Sequence, residues 1–375
     1  MSNPISIYFA LGEASGDALA ADLVPWLAQG VGRGIELQGL AGSRLSALGA
    51  TSLFNLEDIA VMGFTAVAAR FPLIVRRVKQ TVADILKKRP DCIVLVDSPD
   101  FTHAVARRVR KAWPEAKIVN YVCPSIWAWR PGRAKVMRAY VDHVLCLLPF
   151  EPDVLERLNG PPGTYVGHPL AATAPPLPIK DKTDGSLVVL PGSRSSEIER
   201  LMPIFGETIA LLRARGDETP VVLPAVSRHR GLIEKLAGDW SEPVNIVDAS
   251  LNANTFAKAR AALACSGTVT LELALAGVPT SAAYKTDIVA RRLEHFIVAW
   301  SAILPNLILD RPVVPEDIDS MAKPERLVRR VEQLLDDSPE RAAQLTGFGN
   351  LHKMMQTTRP AGQAAARGVL DAIGA

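Results

Sequence analysis

The stretch Ile5-Ser6-Ile7-Tyr8-Phe9-Ala10-Leu11-Gly12-Glu13-Ala14-Ser15-Gly16-Asp17 decides the fold. Its opening apolar run is too short for a buried helix and ends in a Gly/Ser loop, so it reads as a buried strand. A helix pattern follows over Ala18–Ala28. Strand, glycine-bearing loop and helix, in that order, begin a unit that builds a parallel sheet. The order returns later: Leu187–Leu190 as a strand, Pro191-Gly192-Ser193-Arg194-Ser195-Ser196-Glu197 as a loop, and Ile198–Arg213 as a helix. Two such openings in 375 residues predict an α/β protein of two Rossmann-like domains, with parallel sheets facing across a cleft.

Working outward, Cys92–Val96, Lys117–Val122, Val144–Leu148 and Tyr165–Val166 read as further strands of the first half, and Phe101–Trp113 as a helix. Between Arg70 and Lys88, Ile74, Val75, Val78, Val82, Ile85 and Leu86 recur at helical spacing opposite Arg76, Arg77, Lys79, Lys87 and Lys88. Such a stripe predicts a core-facing helix. His168–Gly185 is proline-rich without periodicity and reads as a linker. Val221–Leu223, Val244–Val247 and Ala261–Ala264 are short strands of the second half, and Pro324–Ala375 is helical. The predicted division is 1–168 (first Rossmann-like domain), 169–185 (linker), 186–345 (second Rossmann-like domain) and 346–375, a helical tail able to pack back on an N-terminal domain.

Hydrophobic residues at 48% and charged residues at 22% exclude a disordered chain. No uncharged apolar run is long enough to predict a transmembrane helix. The start carries no basic region or cleavage site, which predicts a cytoplasmic protein. Cys92, Cys123, Cys146 and Cys265 lie in or beside apolar runs without CxxC spacing, so they read as core residues. The histidines lack metal-ligand spacing, and neither a nucleophile elbow nor a kinase signature is present. The net charge of +3 conceals 16 lysines and arginines against five acidic residues between Arg70 and Arg138. That lobe suits an anionic partner (phosphorylated substrate, membrane surface or nucleic acid), or is simply a set of solvated helix faces.

Ligands of open parallel sheets bind beyond the carboxyl ends of the strands, so five loops carry the functional reading. Gly12–Asp17 places Glu13, Ser15, Gly16 and Asp17 at a helix start suited to an anion. It lacks the GxGxxG of dinucleotide sites, and Asp17 also fits a helix N-cap. In Asp97-Ser98-Pro99-Asp100-Phe101, Asp97 ends an apolar strand, where a carboxylate suits a general base, while Asp100 fits the N-cap of the next helix. Trp127-Ala128-Trp129-Arg130-Pro131-Gly132-Arg133 can stack on a sugar or base, sit among lipid headgroups, or pack beneath its loop. In the fourth loop Gly192, Ser193 and Arg194 offer backbone N–H groups and a guanidinium fork to a diphosphate. In the fifth, Ser266-Gly267-Thr268-Val269-Thr270-Leu271-Glu272, the turn suits phosphate and Glu272 the two hydroxyls of a ribose, or the segment is an ordinary helix start.

These five loops, together with Val61-Met62-Gly63, Leu148-Pro149-Phe150-Glu151, Val166-Gly167-His168-Pro169 and Leu304-Pro305-Asn306-Leu307, resemble the lipid-A-disaccharide synthases, inverting glycosyltransferases of GT-B fold. The match runs from Gly12 to about Glu316. It implies UDP-2,3-diacylglucosamine as donor and 2,3-diacylglucosamine 1-phosphate as acceptor. The product would be a β-1,6-linked tetraacyl disaccharide 1-phosphate, with UDP released on the way to lipid A. It further implies a UDP-holding C-terminal domain, no metal or cofactor, no nucleic acid, and peripheral attachment to an anionic inner-membrane surface; a homodimer is compatible with it. Asp97, Arg194 and Asn306 fall on positions the family needs, and Asp97 is the candidate base. Gly192, Ser193, Arg194, Ser266, Gly267, Thr268, Glu272 and Asn306 are the expected UDP residues. Glu13, Ser15, Gly16, Asp17, Trp127 and Arg130 are expected on the acceptor side, and Phe64, Val67, Phe71, Leu73 and Ile74 beside an acyl groove.

Three positions depart from the family pattern: Ala20 where Gly is usual, Ala172 where Asp is usual, and Asp319 in place of Gln. The competing readings are another GT-B enzyme with a different UDP-sugar or lipid acceptor, a UDP-GlcNAc 2-epimerase, and a non-catalytic nucleotide- or lipid-binding module. A binder has little use for a carboxylate at the Asp97 position.

Overall fold

The computed structural model describes residues 4–32, 34–59, 64–174, 184–286 and 297–375. Val61-Met62-Gly63 lies outside them, as do the side chains of Phe64 and Val67 and most of the linker.

The first compact unit comprises Met1–Ala172 and Thr357–Ala375. Its strands are β1 (Ile5–Leu11), β2 (Ile35–Gly39), β3 (Cys92–Val96), β4 (Ile118–Tyr121), β5 (His143–Cys146) and β6 (Gly163–Tyr165). They form one sheet in the order β2-β1-β3-β4-β5-β6, and every neighbouring pair is parallel. Parallel strands covered on both faces by helices need apolar residues at consecutive positions rather than alternate ones. Tyr8–Leu11 and Cys92–Val96 meet that need, with every residue buried. The last strand is Gly163–Tyr165 rather than Tyr165–Val166; Val166 only donates its N–H to Cys146 O at 3.0 Å as the chain leaves the sheet. β2 has no counterpart among the strands expected from sequence, because Ile35-Glu36-Leu37-Gln38 is a half-exposed edge that mixes polar and apolar residues.

The second unit, Thr173–Gln356, repeats the plan. Its strands are β7 (Ser186–Leu190), β8 (Val221–Ala225), β9 (Asn245–Asp248), β10 (Ala259–Cys265), β11 (Thr280–Tyr284) and β12 (Glu316–Ile318). The order is β12-β11-β10-β7-β8-β9, again wholly parallel. The boundary expected at 346 falls inside a helix, Pro339–Met355, that stays with this unit. Gln344 of that helix bonds both the N–H (2.8 Å) and the carbonyl (3.0 Å) of Thr280. Only Ala361–Ile373 joins the first unit, burying Ala365, Ala366, Val369 and Leu370 in its core.

Both sheets therefore reverse direction once. In the first, the chain moves outward from β1 to β2 and returns on the other side at β3. In the second, it moves from β7 through β8 to β9 and returns at β10. A reversal parts the two loops that leave the adjoining strand ends and opens a crevice between them. The reversals fall at β1/β3 and β7/β10, which are the strand ends that carry four of the five loops.

Candidate functional site

In the second unit, the loops after β7 and β10 line a cavity of about 340 Å³. Gly192, Ser193, Arg194, Ser266, Gly267, Thr268 and Glu272 all border it. Gly192 sits at φ +121°, and a Cβ there would lie 2.7 Å from the Glu197 side chain, so the turn requires glycine. Glu197 holds the loop from below. Its buried carboxylate accepts from the N–H groups of Ser193 (3.1 Å) and Arg194 (3.3 Å) and pairs with the Arg194 guanidinium at 2.6 Å. The Ser193 and Arg194 N–H groups are thus turned to Glu197, whereas the expectation had them meet a diphosphate. The cationic contribution falls to the Arg194 side chain, 58% exposed, and to Arg228, which donates to Ser193 O at 3.0 Å.

Two buried polar atoms of this cavity, Ser266 Oγ and Asn252 Oδ1, have no partner among the described residues. Leaving such an atom unsatisfied costs about 1–3 kcal/mol, which a polar ligand would offset. Burial also pushes the Glu272 carboxyl above its usual range, which favours a hydrogen-bonding partner over free water. Arg228 and Asn252 were not legible as site residues, since each follows its own strand without a glycine turn or a motif.

Asn306 is elsewhere. It is 2% exposed and fully engaged: its Oδ1 accepts from Val313 N and Val314 N, and its Nδ2 donates to Val314 O and Ser301 Oγ. It borders a separate cavity and ties the Leu304–Leu309 helix to the chain entering β12. Asp319, one of the departures, accepts from both the N–H and hydroxyl of Thr286 at 2.8 and 2.7 Å, so its carboxylate has a local structural use.

In the first unit, Gly12–Asp17 and Asp97 meet at the β1/β3 reversal, where Leu11 is in register with Val96. A Cβ on Gly12 would lie 2.5 Å from Ser98 Oγ, so the two loops touch. Asp97 and Ser98 both have left-handed backbones, at φ +54° and +44°. Such residues cost on the order of 1–3 kcal/mol each and persist only where the surroundings fix them. Here Asp97 N donates to Tyr121 O (3.1 Å) and Thr102 Oγ1 to Asp97 O (2.9 Å). The half-buried Asp97 carboxylate has no hydrogen-bond partner among the described residues. A fixed backbone with an uncommitted carboxylate is the arrangement a general base needs.

The neighbouring acidic groups are committed. The helix begins at Ala14 with Glu13 as its N-cap, so Asp17 does not cap it. Asp17 is 2% exposed and instead accepts from Gly42 N, Arg44 N and Leu45 N, capping the Ser43–Ala47 helix. Gly16 packs against the Val96 carbonyl, while Ser15 is exposed on the first turn. Ser98, rather than Asp100, is the N-cap of Pro99–Ala112, and the exposed Asp100 pairs with Arg133 at 3.0 Å. Trp127 is a packing residue: its ring meets Phe150 edge-on at 5.5 Å and its Nε1 donates to Glu151 at 3.2 Å. Arg130 is exposed and lines a cavity with Arg133 of the same loop and with His103, Arg107 and Tyr140, three residues the motifs did not single out.

All four cysteines are buried and unpaired. Cys123, Cys146 and Glu151 place potential metal ligands within 4.8 Å of one another, closer than their scattered positions suggested. The hydrogen bond to Cys146 and burial raise the Cys123 thiol far above its usual range, and burial raises Glu151 to about 7. Glu151 already accepts from Leu148 N and Trp127. A metal needs the charged forms that this environment disfavours.

On the Phe64–Lys88 helix, Val78 and Ile85 are buried, whereas Arg76, Lys79, Lys87 and Lys88 are exposed, so the stripe faces the core. Phe71 is 60% exposed. Among the described residues, no helix is long and apolar enough to cross a membrane.

Comparison with known proteins is consistent across sequence and structure. The family model described as Lipid-A-disaccharide synthetase matches residues 7–366. A lipid-A-disaccharide synthase of Rhodopseudomonas palustris (strain HaA2) is 46% identical over 371 residues, covering 96% of this chain and 94% of that protein. Among solved structures, Acinetobacter baumannii MurG gives a TM-score of 0.59 at 12% identity, covering 98% of this chain and all of its own. A putative UDP-N-acetylglucosamine 2-epimerase of Listeria monocytogenes gives 0.61 at 14%, covering 98% and 94%. At those identities the structural likeness establishes the fold alone, so it gives the epimerase reading no support. The chain belongs to the lipid-A-disaccharide synthetase family, as a glycosyltransferase of GT-B fold.

Proposed function

We propose that the chain joins UDP-2,3-diacylglucosamine to the 6-hydroxyl of 2,3-diacylglucosamine 1-phosphate, giving the β-1,6-linked tetraacyl disaccharide 1-phosphate and UDP. The observation that carries the mechanism is the pair of sheet reversals, one bearing an uncommitted carboxylate and the other a cavity with a cationic rim and orphaned polar atoms. Asp97 takes the proton of the acceptor hydroxyl as that oxygen bonds the donor's anomeric carbon. The bond from that carbon to the diphosphate breaks on the opposite face, which inverts the centre. Arg194 and Arg228 meet the charge gathering on the departing UDP. Ser266 and Asn252 supply the hydrogen bonds for which they lack partners, and Glu272 takes the ribose hydroxyls.

The exposed Arg76, Lys79 and Lys87 of Phe64–Lys88, with the exposed Phe71 on the same helix, support attachment to an anionic membrane surface. Arg77 is excluded from that role, being paired with Asp58 at 2.5 Å and stacked over Phe54. The test is direct: incubate the purified chain with the diacyl UDP-sugar and the diacyl sugar 1-phosphate, and measure UDP and disaccharide. Free UDP without disaccharide, or no turnover, refutes the proposal.

A further inference from the structure

Three arginines converge on a cavity of about 500 Å³ in the first unit. Arg107 comes from the Pro99–Ala112 helix, Arg130 from the loop after β4, and Arg133 from the start of the short Arg133–Met137 helix. Asp100, 94% exposed, offsets only Arg133. His103 and Tyr140 are the other polar side chains of the lining and are uncharged at neutral pH: burial lowers His103 to about 4 and raises the Tyr140 hydroxyl. The cavity therefore faces its contents with an excess of two positive charges.

A chain of neutral hydrogen bonds steadies one of these arginines. Asn120 Nδ2 donates to Val122 O at 2.8 Å, so its Oδ1 faces His103 Nε2 at 3.1 Å. The network assigns the imidazole proton to Nε2, leaving Nδ1 to accept the Tyr140 hydroxyl at 3.1 Å. The Arg107 guanidinium in turn lies over the Tyr140 ring, 5.3 Å from its centre. Arg107 is thus positioned without spending its charge on a carboxylate. Arg130 has a left-handed backbone at φ +53°, a costly conformation of the kind retained at ligand sites.

We propose that this cavity binds a phosphate monoester and, resting on the acceptor reading above, holds the anomeric phosphate of the acceptor sugar. A monoester carries about two negative charges and three acceptor oxygens at neutral pH, matching the excess charge and the guanidinium forks. A phosphodiester headgroup carries one charge and offers fewer free oxygens. The cavity also borders the proposed base: Pro99 lines it, two residues beyond Asp97, and Asp97 N is bonded to Tyr121 O at the end of β4. A sugar anchored there by its phosphate keeps its remaining hydroxyls at the β3 end.

The test uses Arg107→Gln and Arg133→Gln in the full chain, with detergent-dispersed acceptor. The KM for acceptor should rise roughly tenfold or more in each, with the donor KM changed by less than about twofold. Arg107→Lys, which keeps the charge, should recover part of the loss. Glucosamine 1-phosphate should compete with acceptor in the unmodified chain and more weakly in the variants, whereas glucosamine should not compete. Phosphatidylglycerol vesicle binding should not differ between variants and parent; if it falls while the acceptor KM stays unchanged, the cavity takes lipid headgroups and the proposal is overturned. Equal rises in both KM values would also overturn it. If the unmodified chain makes no disaccharide, the acceptor reading fails, and calorimetry with glucosamine 1-phosphate still decides the site. Binding that is lost in Arg107→Gln supports a phosphomonoester site, and no binding by the parent chain refutes it.

Discussion

Replacing Asp17 separates a structural carboxylate from a substrate-binding one. Its Oδ1 accepts from Gly42 N (2.8 Å) and Leu45 N (3.2 Å), and its Oδ2 from Arg44 N (2.8 Å). These groups open the Ser43–Ala47 helix, whose N-cap is Gly42, a residue with no side chain to cap it. A Cβ on Gly42 would lie 2.6 Å from the Asp17 carboxyl, so the fit leaves no room for a substitute cap from within. Losing a cap costs about 1 kcal/mol, and a buried donor left unsatisfied about 1–3 kcal/mol. The Leu45 bond is buried and the other two partly so, giving about 3 kcal/mol for Asp17→Ala. Asp17→Asn keeps Oδ1 but turns an amide N–H toward Arg44 N–H, and should cost about half as much. Urea unfolding gives the overall loss, and amide exchange locates it: protection should fall at Gly42, Arg44 and Leu45. The acceptor KM of the folded fraction should stay within about twofold of the parent. Parent-like stability and protection alongside a raised acceptor KM would refute the capping assignment and return Asp17 to the substrate.

Three further outcomes follow from the site. Asp97→Asn should lower disaccharide formation by roughly 10²–10⁴-fold while leaving UDP affinity near the parent value by calorimetry; parent-like turnover removes the base assignment. Arg194→Ala should weaken UDP binding by about 1.5–3 kcal/mol, toward the lower end because Glu197 already engages the guanidinium; unchanged affinity excludes it from the diphosphate. The third concerns pH. Burial lowers His103 and His168 to about 4, so both stay neutral in the folded chain where the unfolded chain would protonate them. Their contribution is whole above about 6.5 and drains as pH falls toward 4. Glu151, raised by burial to about 7, acts in the opposite sense: its contribution is present below about 4.5 and is lost as pH rises toward 7. Glu151→Gln removes this opposing contribution, so urea midpoints at pH 6.5 and 4.5 should differ more in the variant than in the parent; an equal or smaller difference contradicts the assignment.

The architecture was legible because buried parallel strands write themselves as continuous apolar runs. β1, β3, β7 and β10 do so, and these carry the reversals. The edges were not. β2 alternates and is half-exposed, β12 has three residues, and β11 (Thr280-Ser281-Ala282-Ala283-Tyr284) is buried yet built from small and hydroxylated side chains. Without β2 the first sheet shows no reversal, so the reason that the β1 and β3 loops face one crevice appears only in the pairing of strands.

The loops were legible for a related reason: a glycine turn after an apolar run marks a strand end, and strand ends are where ligands bind. The fate of each polar side chain within them was not, because it depends on partners that spacing does not reveal. Asp17 and Asp97 are both acidic residues near strand ends, yet one is spent on N–H groups 25 to 28 positions away and the other has no described partner. Glu197 and Arg194 lie three residues apart and consume part of each other's capacity. The arginine cavity is the converse case. Arg130 and Arg133 were legible as parts of one loop and Arg107 only as a member of a charge excess, while His103 and Tyr140 were not legible at all, since the chain through Asn120 joins a helix, a strand and a loop. Charge counted along a sequence says that an anion is wanted. Which anion depends on how many guanidinium groups keep their charge after the internal carboxylates are paired, and here Asp100 cancels one of three.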